Sequence, residues 1–424
     1  MRNDLRLIPI PFRLERKIFL FLTSGVALTI PLKPSYNSLF CISLFACWLF
    51  FFEKKFTKNN IQIVLALSAL FWIGLVSFSY TQNIGEGWFR LQQKSLLLVL
   101  PLVFGSITFD WRKEFRIIVN VFIITIIVTC IICFSDAILH LISQRSYERF
   151  FGHGLVKFIN IYPYILALLC LISLLVLVET ALGNFQIHPL YSRRWVQLTL
   201  ILFFSIFILL LSVKQIILAW LILFCIYLLR IKFRRRIIIG MLISCFLLFF
   251  ISFLLVPTLQ TKLYEVIDGS DNTIPLDQDL SLGRNWNGIA IRKAIWTCSL
   301  DVIRENLFIG VGIGDAQDVL QSAYETRMFY FASRYNLYNA HSQYIQVLVN
   351  FGIVGFIIWF GCLLWLLNKC KSWLARCMLG CVMFMLLTES MFETNKGILI
   401  LAFIVSLFLF GSSICTSLRQ TTNS

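Results

Sequence analysis

Apolar residues in this chain do not alternate with polar ones. They come in continuous runs long enough to cross a bilayer as helix, which takes about 17–25 residues. Twelve runs stand out, at residues 18–32, 35–52, 61–80, 93–107, 115–139, 158–180, 195–212, 214–229, 237–256, 343–367, 373–388 and 397–412. The absence of alternation argues against the strands of a membrane barrel. The first and fourth runs are short, and Pro101 interrupts the fourth. Short polar stretches separate most of the runs, but residues 257–342 form one long polar segment. The pattern predicts an all-α polytopic membrane protein with about 12 transmembrane helices. Residues 1–256 would form an N-terminal bundle of about nine spans and residues 257–342 a long extracytoplasmic loop with short amphipathic helices. Residues 343–424 would add about three spans and a short tail. No small-residue cleavage site follows the first run, so it reads as a span rather than a removed leader.

Composition agrees with this division. Of 424 residues, 59% are hydrophobic, 41 are Phe, and only 14% are charged. A soluble domain carries roughly 25% charged residues. The net charge of +16 is unevenly spread. "FEKKFTKNN", "DWRKEFR", "SRRW", "RIKFRRR" and "NKCKSWLAR" alternate along the chain with the less basic "PLKPSYN", "TQNIGEGWFRLQQK" and "ETNK". The positive-inside rule puts the first set in the cytoplasm, together with both termini, and residues 257–342 outside. Basicity therefore reads as topology. A nucleic-acid partner is not expected, because no basic stripe is interleaved with stacking aromatics. Thirteen cysteines are present, mostly within spans, and only Cys298 falls in the long loop. No disulfide framework follows, and no Cys/His spacing fits a metal site.

Charged groups inside a bilayer usually mark function. Here the span interiors nearly lack them. Lys214 sits at a tight turn between spans and Glu389 at a span end. Neither a midplane carboxylate nor a broken helix is evident, which speaks against an ion-coupled transporter. Chemistry concentrates instead in residues 257–342, a connection too long to be a mere link. Its first part contains "DQD" at Asp277–Asp279, which read as solvated loop acids rather than a metal-binding pair. Its second part, "NGIAIRKAIWTCSLDVIREN", has a helical period. On a helical projection Arg292 falls among Ile289, Ile295, Trp296, Ser299 and Ile303, opposite Lys293, Asp301 and Glu305. Two readings of Arg292 follow. It snorkels or makes a structural ion pair, or it presents its planar fork to an anionic lipid. Next, Gly310, Gly312 and Gly314 precede a helix expected to start near Asp315. Without a preceding strand they are no dinucleotide fingerprint. They read as a tight turn between two surface helices. "MFYFASRYNLYN" supplies interfacial aromatics.

Taken in order, these features form a pattern. "IRKAIWTCSLDVIRENLFIGVGIGDA", then "YNAHSQYIQVLVNFGIVGFIIW", then "LLTESMFETNKGILILAFIVSLFL" closely resemble the O-antigen ligase and polymerase family of bacterial envelope glycan assembly. Members carry an Arg four residues before a Trp, a Gly-x-Gly turn, and a His at the mouth of a span with a Gly pair, here Gly352 and Gly355. There are departures: "SVKQ" puts Lys214 where members often have Arg, and Asn350 stands where many have an acid.

The resemblance implies glycosyl transfer outside the cytoplasm by a multi-pass enzyme of the bacterial inner membrane. The donor would be a glycan on undecaprenyl pyrophosphate. The acceptor would be a hydroxyl of lipid A core for a ligase, or a carrier-linked glycan for a polymerase. Protein O-glycosylation and a non-enzymatic transporter stay as alternatives. The residues fit such chemistry on their own terms. A sugar pyrophosphate already has a good leaving group, so the site needs cations for the departing charge and a base for the acceptor proton. Arg292 is the first choice of cation, followed by Arg284, Lys214, Lys94 and Arg90. No cofactor or metal is needed if arginines do this work. His341, at the mouth of a span, is the base, with an unperturbed pKa of about 6.5. The alternative for it is a helix cap or interfacial anchor. His140, His153 and His188 lack this context.

Overall fold

The computed structural model describes residues 8, 10–187, 191, 193–230, 260 and 288–416. The expected span 237–256, Arg284, His188, Asp277 and Asp279 lie outside them. Among the described residues the architecture is helical, and the β pairing seen is a single bridge between Lys54 and Ile107. The helices of the first half are α1 (Phe12–Thr29), α2 (Pro34–Phe51), α3 (Lys58–Leu67), α4 (Ala69–Ser77), α5 (Ile84–Lys94), α6 (Leu96–Ser106), α7 (Arg112–Gln144), α8 (Gly152–Leu155) and α9 (Pro163–Ala181). After them come α10 (Arg194–Leu211), α11 (Lys214–Arg230), α12 (Gly288–Glu305), α13 (Ala316–Thr326), α14 (Gln343–Lys369) and α15 (Trp373–Met385). Last are α16 (Asn395–Ile400) and α17 (Ser406–Thr416), joined by a π-helical turn, Leu401–Val405.

Local chemistry explains several starts. Pro34 and Pro163 open α2 and α9, where a missing N–H costs nothing. Thr57, Asn83 and Thr394 cap α3, α5 and α16 by accepting from a backbone N–H with the side chain.

Every expected span within the described residues is helical, but not every helix is a full crossing. Five are long and apolar enough, namely α2, α7, α9, α10 and α14. The bent pair α3–α4, turning by 57° at buried Ser68, makes a sixth. The expected run at 18–32 corresponds to α1, which starts earlier than expected and carries Arg13, Glu15, Arg16 and Lys17 in its first turns. The run at 93–107 is divided at Ser95 into α5 and the 11-residue α6, which continues through Pro101. Helix α15 has 13 residues.

Helix α9 lies at the centre, with 83% of its apolar window buried, against α7, α10, α11 and α15. The α16–α17 segment is likewise enclosed, packing on α6 and α7. Edge-on ring pairs link Phe403, Phe104, Phe19, Trp111, Phe115 and Phe408 in turn through this core. A second, smaller core joins α12 and α13 to the start of α14 through Ile295, Cys298, Leu320, Tyr324, Phe329 and Val349.

Helix α14 is not continuous. Gly352 has φ 62° and ψ −168°, a conformation almost confined to glycine. The residues around the break are met by the turn after α12. Val311 and Gly312 N–H donate to the Val349 and Asn350 carbonyls (3.0 and 2.9 Å), and Ile353 N–H donates to Leu307 O (2.8 Å). The continuous apolar run shows no sign of a broken helix, yet α14 breaks at Gly352. Its freed backbone groups are satisfied by this turn rather than arranged around an ion. Gly310 belongs to the same joint, since a Cβ there would strike the Asn350 backbone. The expected glycine turn between two surface helices is thus a docking turn against α14.

Candidate active site

His341 directly precedes Ser342, the residue before α14, and its backbone is held in the left-handed region with φ 44°. Few non-glycine residues sit there. Three bonds fix it. His341 N–H donates to Asn339 Oδ1 (3.0 Å), Ala340 N–H donates to Gln346 Oε1 (3.0 Å), and Trp296 Nε1–H donates to the Ala340 carbonyl (3.1 Å). The last bond gives the Arg-x-x-x-Trp spacing its physical meaning. Arg292 lies one turn before Trp296 on α12, so anchoring Trp296 to the His341 loop brings the guanidinium to the imidazole. The Tyr338 ring stands edge-on to the imidazole at 5.0 Å. Burial, and after it the Arg292 charge, push His341 down to about 4. It is neutral at pH 7 and carries a lone pair.

Arg292 is half-buried. It donates through Nη2 to Glu389 Oε1 (2.9 Å), through Nη1 to the Gly288 carbonyl (3.1 Å), and through Nε to the Thr388 carbonyl (3.4 Å). The ion pair left open by the sequence is therefore present, with Glu389 as partner. Arg292 is also not at the middle of the packed face. That face runs through Ala290, Ala294, Cys298 and Val302, small residues that the sequence projection passed over, and Arg292 stands on its margin. Burial pushes the Glu389 carboxyl upward, against the pull of Arg292. Beside it, the hydroxyls of Thr388 and Ser390 are shut off from solvent and find no hydrogen-bond partner among the described residues. Buried polar groups of this kind call for an explanation.

A second group of charges adjoins this one. Arg90 pairs with Glu86 (2.7 Å) and Glu393 (3.7 Å), and Lys94, almost fully buried, pairs with Glu393 (3.4 Å). Gln343 ties both groups to α14. Its N–H donates to Leu386 O (2.9 Å) and its Oε1 accepts from Phe392 N–H (2.7 Å). Asp315 stands at the helix start as expected, directly before α13, and its side chain accepts from the Gln82 and Asn83 amides (2.8 and 2.7 Å), fastening the glycine turn to the α4–α5 loop. Tyr164, in the first turn of α9, stands beside Glu389.

Lys214 opens α11 after the left-handed Ser212, at a turn packed near Gly152. Arg284 lies outside the described residues. The sequence reading brought His341, Arg292, Arg90 and Lys94 to one region but passed over Glu393, Gln343 and Gln346. One signal was available: amides at 343, 346 and 350 line one face of an otherwise apolar helix. Among the described residues no group of three His, Cys, Asp or Glu side chains could hold a metal.

Residues 198–360 match the protein-family model described as O-antigen ligase. Over this stretch the chain is similar to O-antigen ligases. The comparison with curated proteins gives no match. The O-antigen ligase match spans Lys214, Arg292, the glycine turn and His341, while Arg90, Lys94, Glu389 and Glu393 come from outside it. The matched stretch thus contains His341 and Arg292, and the segments flanking it contain Glu389 and Glu393. This match, with the apolar helices, points to a bacterial membrane protein of glycan ligation or polymerisation.

Proposed function

We propose that the protein transfers a glycan from undecaprenyl pyrophosphate to an acceptor hydroxyl at the outer face of the inner membrane, by His341-assisted single displacement. The acceptor in this reading is lipid A core, and polymerisation of carrier-linked repeats would use the same chemistry. The reading rests on the convergence of Arg292, Glu389 and His341 from three separate segments at the mouth of α14.

In the reaction the acceptor oxygen attacks the anomeric carbon and the bond from that carbon to the phosphate oxygen breaks. The carrier pyrophosphate leaves with the electron pair, and the acceptor proton passes to His341. Arg292 neutralises the departing charge through its fork, in competition with Glu389. Arg90 and Lys94 already share Glu393, so they add field rather than a first contact. Placed between Arg292 and His341, the pyrophosphate offsets the guanidinium charge and raises the basicity of the imidazole just where a proton must be accepted. The arginine fork supplies the positive charge that a divalent cation would otherwise bring.

The test uses purified protein with carrier-linked glycan. His341→Ala should lose activity by about a hundredfold or more. Arg292→Ala should abolish transfer with insertion intact, and Arg292→Lys should also be impaired. The product should have inverted anomeric configuration, and chelators should have little effect. Near-normal turnover in His341→Ala would reduce the histidine to a helix cap. Retention of configuration would demand a covalent intermediate and refute the single displacement.

A further inference from the structure

A cavity of about 310 Å³ lies beside the His341 loop, lined in part by Leu337 and Asn339. At this size it falls at the lower end of small-molecule clefts. Its walls include Gln317, Asn339, Gln346 and Asn350, with Arg90, Glu86 and Glu393 at one side and Ile313, Gly314 and Leu337 as apolar floor. Its lining sets one cation, Arg90, against two carboxylates, Glu86 and Glu393. A free anion gains little there. The amides are arranged differently. Gln346 and Asn350 lie about 2% exposed on what is otherwise an apolar membrane helix. Gln346 Nε2 donates to Asn350 Oδ1 (2.9 Å), and Gln317 Nε2 donates to the Leu337 carbonyl (3.0 Å). Among the described residues the amide nitrogens of Asn339 and Asn350 donate to no protein group. The cavity therefore offers N–H donors and carboxylate acceptors side by side over an apolar floor. That is the complement of a sugar ring, whose hydroxyls both give and accept hydrogen bonds and whose C–H face is apolar.

We infer that this cavity binds one uncharged sugar ring of a glycan substrate, with Asn350, Asn339 and Gln317 reading its hydroxyls. The inference rests on the glycosyl-transfer reading and adds to it a place for the sugar. Two of the same residues hold the catalytic loop. Asn339 accepts from His341 N–H and Gln346 accepts from Ala340 N–H, so a ring seated here sits next to the base. The ring could belong to donor or acceptor.

The experiment is saturation-transfer NMR on the purified full-length protein in detergent, with free hexoses and N-acetylhexosamines as probes. At least one should receive saturation from the wild type, and Asn350→Leu should abolish the transfer. Gln317→Leu, on the separate helix α13, should weaken it and decides the matter if Asn350→Leu does not fold. His341→Ala should still bind the sugar while losing turnover, so loss of catalysis and loss of the sugar site are told apart. In two-substrate kinetics Gln317→Leu should raise one KM by about tenfold with kcat little changed. A rise for the carrier-linked glycan assigns the ring to the donor, and a rise for the other substrate assigns it to the acceptor. No saturation of any probe by wild type, or equal saturation in both leucine variants, would overturn the inference.

Discussion

The depressed basicity of His341 gives the sharpest test of the site. Two causes lower it to about 4, burial first and the Arg292 charge second. Moving from an unperturbed 6.5 to about 4 corresponds to about 3 kcal/mol of preference for the neutral ring. Arg292→Gln removes the second cause and keeps the first. His341 should therefore titrate higher in that variant, still short of its unperturbed value because burial is the larger cause. Added inorganic pyrophosphate should also raise it in the wild type, and should do so much less in Arg292→Gln. The direction for stability follows from the same values. The folded value lies below the unfolded one, so between pH 6.5 and about 4 the unfolded chain binds the extra proton. Stability from this group is intact above pH 6.5 and drains away as pH falls through that window. Isotope-labelled histidine spectra in nanodiscs would follow the four histidines separately, assigned by single substitutions. A wild-type His341 titrating near 6.5, or one unmoved by Arg292→Gln, would refute the electrostatic coupling of the two residues.

Three further outcomes are expected. Glu389→Gln frees the Arg292 fork from its partner at 2.9 Å; it should lower KM for the carrier-linked donor at a stability cost of about 1–2 kcal/mol, read from thermal inactivation and initial rates. Gly352→Ala should lower the thermal midpoint by the equivalent of about 2 kcal/mol or more, since alanine must adopt φ 62° and its Cβ would strike the Phe308 carbonyl; unchanged stability would mean the break in α14 is not a fixed feature. A reporter fused after Lys55 should remain cytoplasmic and one after Gln82 should be exported, from the asymmetry of basic loops; the reverse result would turn the site to the wrong side of the membrane.

Much of the site could be read from the sequence, because its logic is local. The helix of Arg292, the glycine turn and the exposed start of α14 each carry a short-range signal, in period, in Gly spacing, or in a change from polar to apolar. What escaped was relational. Nothing in the chain reveals that Glu389 meets Arg292, that Glu393 collects both Arg90 and Lys94, or that Asp315 serves the amides of Gln82 and Asn83 instead of its own helix. Such pairings join residues far apart in sequence, so no periodicity encodes them. The fold shows the same limit. Apolar runs gave the helices but not their breaks. Ser68, Ser95 and Gly352 interrupt runs that look continuous, and at Gly352 a neighbouring turn satisfies the interrupted backbone, which hydropathy does not record.

Those interruptions and the charged site belong to one construction. In a bilayer a helix can break only where other protein groups take up its backbone. The turn at residues 307–312 does this for α14 at Gly352, and in doing so it locks the end of α12 against the helix that His341 introduces. Trp296 then secures the other end of the contact through the Ala340 carbonyl. With α12 held at both ends, Arg292 has little freedom to leave the imidazole. The cations and carboxylates around it are matched, with Arg90, Lys94 and Arg292 set against Glu86, Glu393 and Glu389. A site built this way keeps three cations partly desolvated without leaving any of them uncompensated, which a lone cationic cleft could not do. An incoming pyrophosphate then needs only to exchange for a carboxylate on Arg292, a swap of one anion for another. The same exchange removes the repulsion that keeps His341 a weak base. On this account the base is strengthened by the substrate it serves, and Arg292 is the residue through which the two are coupled.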